Sequence, residues 1–221
     1  HVPGGAATVI AGLRQALGPN GTLLMPALSY ATVTPDRPHF DLALTPSNVG
    51  VIAESFRRQV GVLRSLHPTH SVCGHGMAVE ALLADHGADN TPCGPNSPFH
   101  RLPEYHGKIL MLGCGLRPNT SLHAIEEVVA PPYLFGVPLD YELVDGDGRC
   151  TVKRYVPHDF GGVRQRYDRI GQMLQEPDLR VGRVLDATVH LIDAVALWRT
   201  ALEALRRDPL VFVEPVTNDQ E

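Results

Sequence analysis

Long apolar runs are missing from this 221-residue sequence: none approaches the roughly 18 residues that a membrane-crossing helix needs, and no secretory signal is visible. Basic clusters are missing too. With 19 Lys and Arg against 24 Asp and Glu, the formal charge is -5 and no basic stretch could follow a phosphate backbone, which argues against a nucleic-acid partner and leaves a cationic small molecule compatible. The four cysteines, Cys73, Cys93, Cys114 and Cys150, include no CxxC pair. That argues against a thiolate zinc site and a disulfide scaffold, and favours reduced thiols in the cytoplasm. GxGxxG, P-loop, HExxH and GxSxG motifs are all absent, so the common nucleotide, zinc-protease and serine-hydrolase readings have no local support.

What is present suits a folded globular protein. Hydrophobic content of 43% and charged content of 19% are ordinary for a globular chain, and the length favours a single domain over residues 1–221, with no internal repeat or flexible linker. Ala6, Val9, Ile10, Leu13 and Leu17 recur at helical spacing, and Gly18-Pro19-Asn20-Gly21 stops that helix before a short buried strand from Thr22 to Met25. Ala27 to Pro46 reads as a long loop. Ser47 or Asn48 is expected to cap a helix with a stripe of Val49, Ile52, Ala53, Phe56 and Val60, and Val62 to Leu66 is another short apolar run. A helix is expected around Met77 to His86, a Pro/Gly-rich loop over Asp89 to Pro98, a strand from Lys108, a hairpin around Asp145 to Arg149, and helices over Gly162–Leu174 and Ile192–Arg207. Helices alternating with apolar strands point to an α/β layered fold.

The most informative stretch is Asn119-Thr120-Ser121-Leu122-His123-Ala124-Ile125-Glu126. Three good N-cap residues precede a histidine and a carboxylate at i and i+3, which share one helix face. Glu126 could steer His123, whose unperturbed pKa of about 6.5 suits a general base near neutrality. Glu127, at i+4, is an alternative partner. Caps need no catalysis, and such pairs also occur on solvated helices.

Other constellations compete. His67, His70, His75 and Cys73 lie close together and raise a metal reading, but Pro68 makes the segment extended and the spacing matches no zinc motif; histidines that brace a loop are the plainer account. Cys114, at a strand end ahead of His123 and Glu126, raises a Cys114-dependent hydrolase, although a small core thiol would look the same. Val2-Pro3-Gly4-Gly5 opens the first helix, and its N–H groups could meet an anion; Pro and Gly before a helix are also ordinary punctuation.

Taken in order, several segments resemble the antibiotic N-acetyltransferase family, whose best known members are the aminoglycoside 3-N-acetyltransferases. They are Gly4-Gly5, Gly18 to Pro26, Phe40-Asp41 with Thr45-Pro46-Ser47, Arg64 to Val72, Asp89 to Pro98, Gly107 to Gly115, and Asn119 to Glu126. The resemblance implies a three-layer α/β/α sandwich around a mostly parallel or mixed central sheet. It implies acetyl-CoA-dependent acetylation of the 3-amino group of 2-deoxystreptamine aminoglycosides, giving antibiotic resistance, with acetyl-CoA as cosubstrate and no metal. His123 matches the family's active-site histidine and Glu126 its carboxylate partner, while His67 and His70, with Ser71, match a second motif lining the cleft. Gly4, Gly5 and Ser71 are the cofactor-binding candidates, and His67, His70, Asp41, Glu104 and Asp159 the substrate-binding ones.

The resemblance also implies a first strand and a loop ahead of the Gly-Gly turn, so a chain opening at His1 without Met is expected to be N-terminally incomplete. An acetyltransferase for another amine and an inactive fragment stand beside the hydrolase as alternatives. Expected surroundings are an aminoglycoside partner, a homodimer as a permitted assembly, and a cytoplasmic location.

Overall fold

A computed structural model describes residues 2–216, so His1, where the sequence opens, lies outside the described residues. The chain divides into two compact units. One takes the sequence up to Pro98 together with Val137–Pro157; the other takes Phe99–Gly136 and the sequence from His158 onward. The chain therefore passes between the units at three points in sequence, and no single linker separates them.

The first unit opens with α1 (Gly5–Leu17), which buries Ile10 and ends at Gly18, where φ of 70° lets the Gly18 N–H reach back to the Arg14 and Gln15 carbonyls. Strand β1 (Thr22–Pro26) follows, then β2 (His39–Asp41), α2 (Val51–Arg57), β3 (Leu63–Arg64), β4 (Val72–Gly76) and α3 (Val79–Leu83). β1, β4 and β3 form an antiparallel sheet in that order, with Met25 opposite Cys73. Gly76 is required there: at φ 130° an added Cβ would lie 2.2 Å from the Gly21 carbonyl oxygen. Ile10, Met25, Ala27, Phe56 and Cys73 close one core over this sheet.

β2 pairs in parallel with β6 (Leu139–Val144), which pairs antiparallel with β7 (Cys150–Tyr155). Val33, Phe40, Tyr141, Leu143 and Tyr155 form its core. The long loop after β1 is held by Arg64, whose guanidinium donates to the carbonyls of Ala27, Leu42 and Thr45 and to Ser71 Oγ and stacks over the Phe40 ring. Burial lowers the Arg64 pKa to about 10, so its positive charge is retained at neutrality.

In the second unit, β5 (Lys108–Leu112), β10 (Ala187–Asp193) and β9 (Leu179–Val184) form an antiparallel sheet. α4 (Pro98–Arg101) precedes β5, and α5 (Ser121–Val129) and α6 (Ala194–Arg207) pack with the sheet through Met111, Leu122, Ile125, Ile192, Leu197 and Leu205. A smaller ladder joins β8 (Val163–Gln165) to β11 (Val213–Pro215). The α/β class holds, and its described sheets are antiparallel apart from the mixed one containing β2. No helix of the described residues is long and apolar enough to cross a membrane.

Several local expectations need correction. Gly162–Leu174 is no helix: Val163–Gln165 pairs with β11, and a 3-10 turn spans Tyr167–Gln172. The last long helix starts at Ala194, because Leu191 and Ile192 belong to β10 and Asp193 Oδ1 caps the helix by accepting from the Ala196 N–H. α2 begins at Val51, after Gly50. Ser47 instead gives its N–H to Glu54, Asn48 accepts from Ala31, and Val49 and Val60 face solvent.

Candidate active site

The site that the second unit builds starts from a turn and a short helix. Gly113 and Gly115 take positive φ after β5, and Leu122 and Ile125 anchor α5 in the core at zero exposure. His123 and Glu126 are also buried, and Glu126 is sealed from solvent. No side chain caps α5 at Thr120; Asn119 Oδ1 accepts the Ser121 N–H instead. Ala130, at φ 52°, ends the helix, and the Pro131-Pro132 turn returns Tyr133 over it.

The helical spacing brings His123 Nδ1 to 3.2 Å from Glu126 Oε2. Tyr133 donates its hydroxyl to Oε1 at 2.8 Å, and the Tyr167 hydroxyl donates to Oε2 at 2.5 Å. Tyr167 Oη is also 2.7 Å from His123 Nδ1. A buried carboxylate needs such donors, since an uncompensated one is costly. Burial first, then the Glu126 charge, raises the Tyr133 pKa, so this phenol stays protonated and remains a donor.

The tautomer of His123 follows from counting protons. The Tyr167 hydroxyl has one hydrogen, which goes to the carboxylate, and the carboxylate can only accept. Nδ1 must therefore carry hydrogen, and the lone pair of a neutral His123 lies on Nε2, the nitrogen suited to take a proton from a nucleophile.

Glu127 does not compete for His123. Its Oε1 stands 2.8 Å from His158 Nε2, and the two side chains are only 6% and 4% exposed. The His158 ring lies 5.0 Å from the His123 ring, with Phe160 against both. Burial, with a smaller contribution from His123, holds the His158 pKa well below the ordinary histidine value. Sequence reasoning missed Tyr133, His158 and Tyr167. Tyr133 carried a faint signal, an aromatic just past a Pro-Pro helix stop; the other two carried none.

The remaining candidates divide. In the first unit His67 and His70 are both buried, with ring centroids 6.0 Å apart, and His67 Nδ1 accepts the N–H groups of Thr69 and His70. His75 Nε2 accepts from Arg14, and among the described residues His67, His70, Cys73 and His75 do not converge as a four-member ligand set. Ser71 is fully buried, donating to the Ala27 carbonyl and accepting from Arg64. Asp41 Oδ1 closes a turn by accepting the Ala43 and Leu44 N–H groups.

Gly4 and Gly5 start α1 at positive φ, with no side-chain cap on its first N–H groups and no acid in its first turn. In the second unit Glu104 is exposed and pairs with Arg101, and Asp159 is exposed beside His158 in sequence. Cys114 is exposed; its described hydrogen bond runs to the Gly115 carbonyl, not to an imidazole.

The family model for aminoglycoside 3-N-acetyltransferases matches residues 1–206. The chain is similar to aminoglycoside N(3)-acetyltransferase IV of Salmonella sp, 35% identical over 210 residues that span 94% of this chain and 76% of that protein. It is similar to aminoglycoside N(3)-acetyltransferase VII of Streptomyces paromomycinus, 36% identical over an alignment that covers 88% of this chain and 77% of that protein. Among solved structures, a variant of aminoglycoside acetyltransferase AAC(3)-IVa in complex with a gentamicin matches with a TM-score of 0.82 and 34% identity, over 97% of this chain and 80% of that one. AAC-IIIb in a binary complex with CoASH matches at 0.78 and 27%, over 96% and 86%.

Proposed function

Because this chain belongs to the aminoglycoside 3-N-acetyltransferase family, a family of acyltransferases, we propose that it acetylates the 3-amino group of a 2-deoxystreptamine aminoglycoside with His123 as general base. The observation that carries the base assignment is the hydrogen-bond set at His123 Nδ1, which puts the lone pair on Nε2.

The chemical problem is the substrate's charge, since an ammonium has no lone pair with which to attack. Acetyl-CoA supplies an acetyl thioester, whose acyl carbon is the electrophile. The ammonium first releases one proton to solvent; Nε2 then takes a second N–H proton as the neutral amine nitrogen bonds to that carbon, and returns it to sulfur as the C–S bond breaks, leaving amide, thiol and neutral imidazole. Glu126 offsets the imidazolium charge between these events and holds the ring in plane. A base so placed is worth about 10²- to 10⁴-fold in rate.

Among the cofactor candidates, the start of α1 at Gly4 and Gly5 suits the cofactor's phosphates, because uncapped N–H groups and the helix dipole favour an anion. The Ser71 hydroxyl is already taken up by Ala27 and Arg64. Asp159 and Glu104 are the exposed acids suited to the substrate's other ammonium groups, whereas the Asp41 carboxylate already closes a turn. Use of acetyl-CoA supports a cytoplasmic location.

The test is thiol release from acetyl-CoA with gentamicin and apramycin, comparing the intact protein with His123→Ala. Loss of at least about 100-fold with acetyl-CoA binding retained is the expected result. Activity that persists in the variant would remove His123 as base; silence of the unaltered protein with both drugs would remove the aminoglycoside.

A further inference from the structure

We propose that Tyr167 is a positioning residue for acetyl transfer, its hydroxyl inserted between His123 and Glu126 as acceptor from the first and donor to the second. The inference rests on the reading of His123 as base and concerns how that base is held.

Three atoms form a triangle: Tyr167 Oη to Glu126 Oε2 is 2.5 Å, Tyr167 Oη to His123 Nδ1 is 2.7 Å, and the direct Nδ1 to Oε2 edge is the longest at 3.2 Å. Two hydrogens serve it, one on Oη and one on Nδ1. The Oη hydrogen goes to the carboxylate, and the Nδ1 hydrogen takes the shorter of its two options, the phenol oxygen. The principal path from imidazole to carboxylate therefore runs through Tyr167, and each bond in such a chain polarises the next.

The rest of the packing keeps this arrangement in one geometry. The Tyr133 hydroxyl occupies the other carboxylate oxygen at 2.8 Å, so Glu126 is held at both ends. Tyr167 is 1% exposed in the core with Leu122, Ile125 and Phe212, and its ring meets the His123 ring edge-on at 5.2 Å. Without the phenol hydroxyl, Nδ1 would lose the shorter of these two contacts and keep the longer edge to Oε2. Its hold on the tautomer that places the lone pair on Nε2 would weaken, whereas contacts made by substrate would stay the same.

The experiment compares Tyr167→Phe, Glu126→Gln and the double variant in the intact protein. It reads kcat and KM for gentamicin and acetyl-CoA, together with the Nδ1–H population of His123 by nitrogen NMR. Tyr167→Phe is expected to lower kcat by roughly 10- to 100-fold, the loss of one charge-assisted hydrogen bond. KM should move less than about twofold, the Nδ1–H population should fall, and the double variant should lose far less than the product of the two single losses. Unchanged kcat and tautomer in Tyr167→Phe, or fully multiplicative losses, would overturn the proposal.

Should the Phe variant fail to fold, fluorotyrosine at position 167 keeps the shape with a more acidic hydroxyl. A change in kcat and in the Nδ1–H signal is then expected, and invariance of both would overturn the proposal. Failure of the base reading is seen separately, as activity surviving in His123→Ala, and the tautomer measurement on Tyr167→Phe still decides whether this phenol orients the ring.

Discussion

Glu127 and His158 are bonded at 2.8 Å in a nearly sealed pocket, so two adjacent glutamates on α5 hold two different histidines. Glu126 turns to His123 and Glu127 to His158, whose rings lie 5.0 Å apart. Neighbouring helix positions point about 100° apart, and this divergence lets one turn of helix support both pairs.

Glu127→Ala should therefore cost stability. It leaves the buried His158 Nε2–H without its acceptor, a loss of about 2 kcal/mol. Thermal melting would show it, with Glu127→Gln recovering part of the loss through its amide oxygen. A melting temperature equal to that of the unaltered protein would contradict the pairing.

Acid should unfold the protein through two buried histidines. His86 is lowered to about 4 by burial, with Ser65 on Nδ1 and the Pro92 carbonyl on Nε2, and His158 is lowered well below 6.5. The folded state binds these protons less readily than the unfolded one, so their stability contribution is intact above about pH 6.5 and declines as pH falls below it, for His86 until about pH 4. For His86 the shift corresponds to roughly 3 kcal/mol. Urea midpoints at pH 7.5 and 4.5 should differ accordingly, and His86→Gln should flatten part of the difference.

Arg64 should be replaceable by neither Met nor Lys. Its guanidinium serves three carbonyls and one hydroxyl across the first unit, and a lysine cannot reproduce that planar fork. A loss of about 3 kcal/mol is expected for Arg64→Met, because four partly buried acceptors each lose a charged donor together, with little recovery in Arg64→Lys. Denaturant titration of both variants would measure this.

Cys114→Ala should leave acetyl transfer within about twofold, because the proposed mechanism makes no use of a protein thiol. Cys114 and Cys150 are exposed and should alkylate readily, while burial raises the Cys73 pKa to about 11 and should protect it at pH 8. Mass spectrometry of the alkylated protein gives the order of reaction. Loss of transfer in Cys114→Ala would revive the thiol nucleophile.

Sequence by itself determined what depends on short separations. His123 and Glu126 had to share a helix face, Gly18 had to end α1, and the turn around Asp145 had to reverse the chain between β6 and β7. The ordered motifs pointed to the family because each is local. Where the local signal was ambiguous, reading failed: Val163–Gln165 became a strand by pairing with β11, and the β9 to β10 turn passes through Leu185 at φ 53°, without the glycine that usually marks such a reversal.

Tertiary structure alone decided which glutamate faces which histidine and which phenols close around them. Tyr167 lies 44 residues from His123, and His158 lies 31 from Glu127. No periodicity spans such distances; only the packing of the second unit's core carries those groups to α5 and thereby sets the protonation pattern of its histidine.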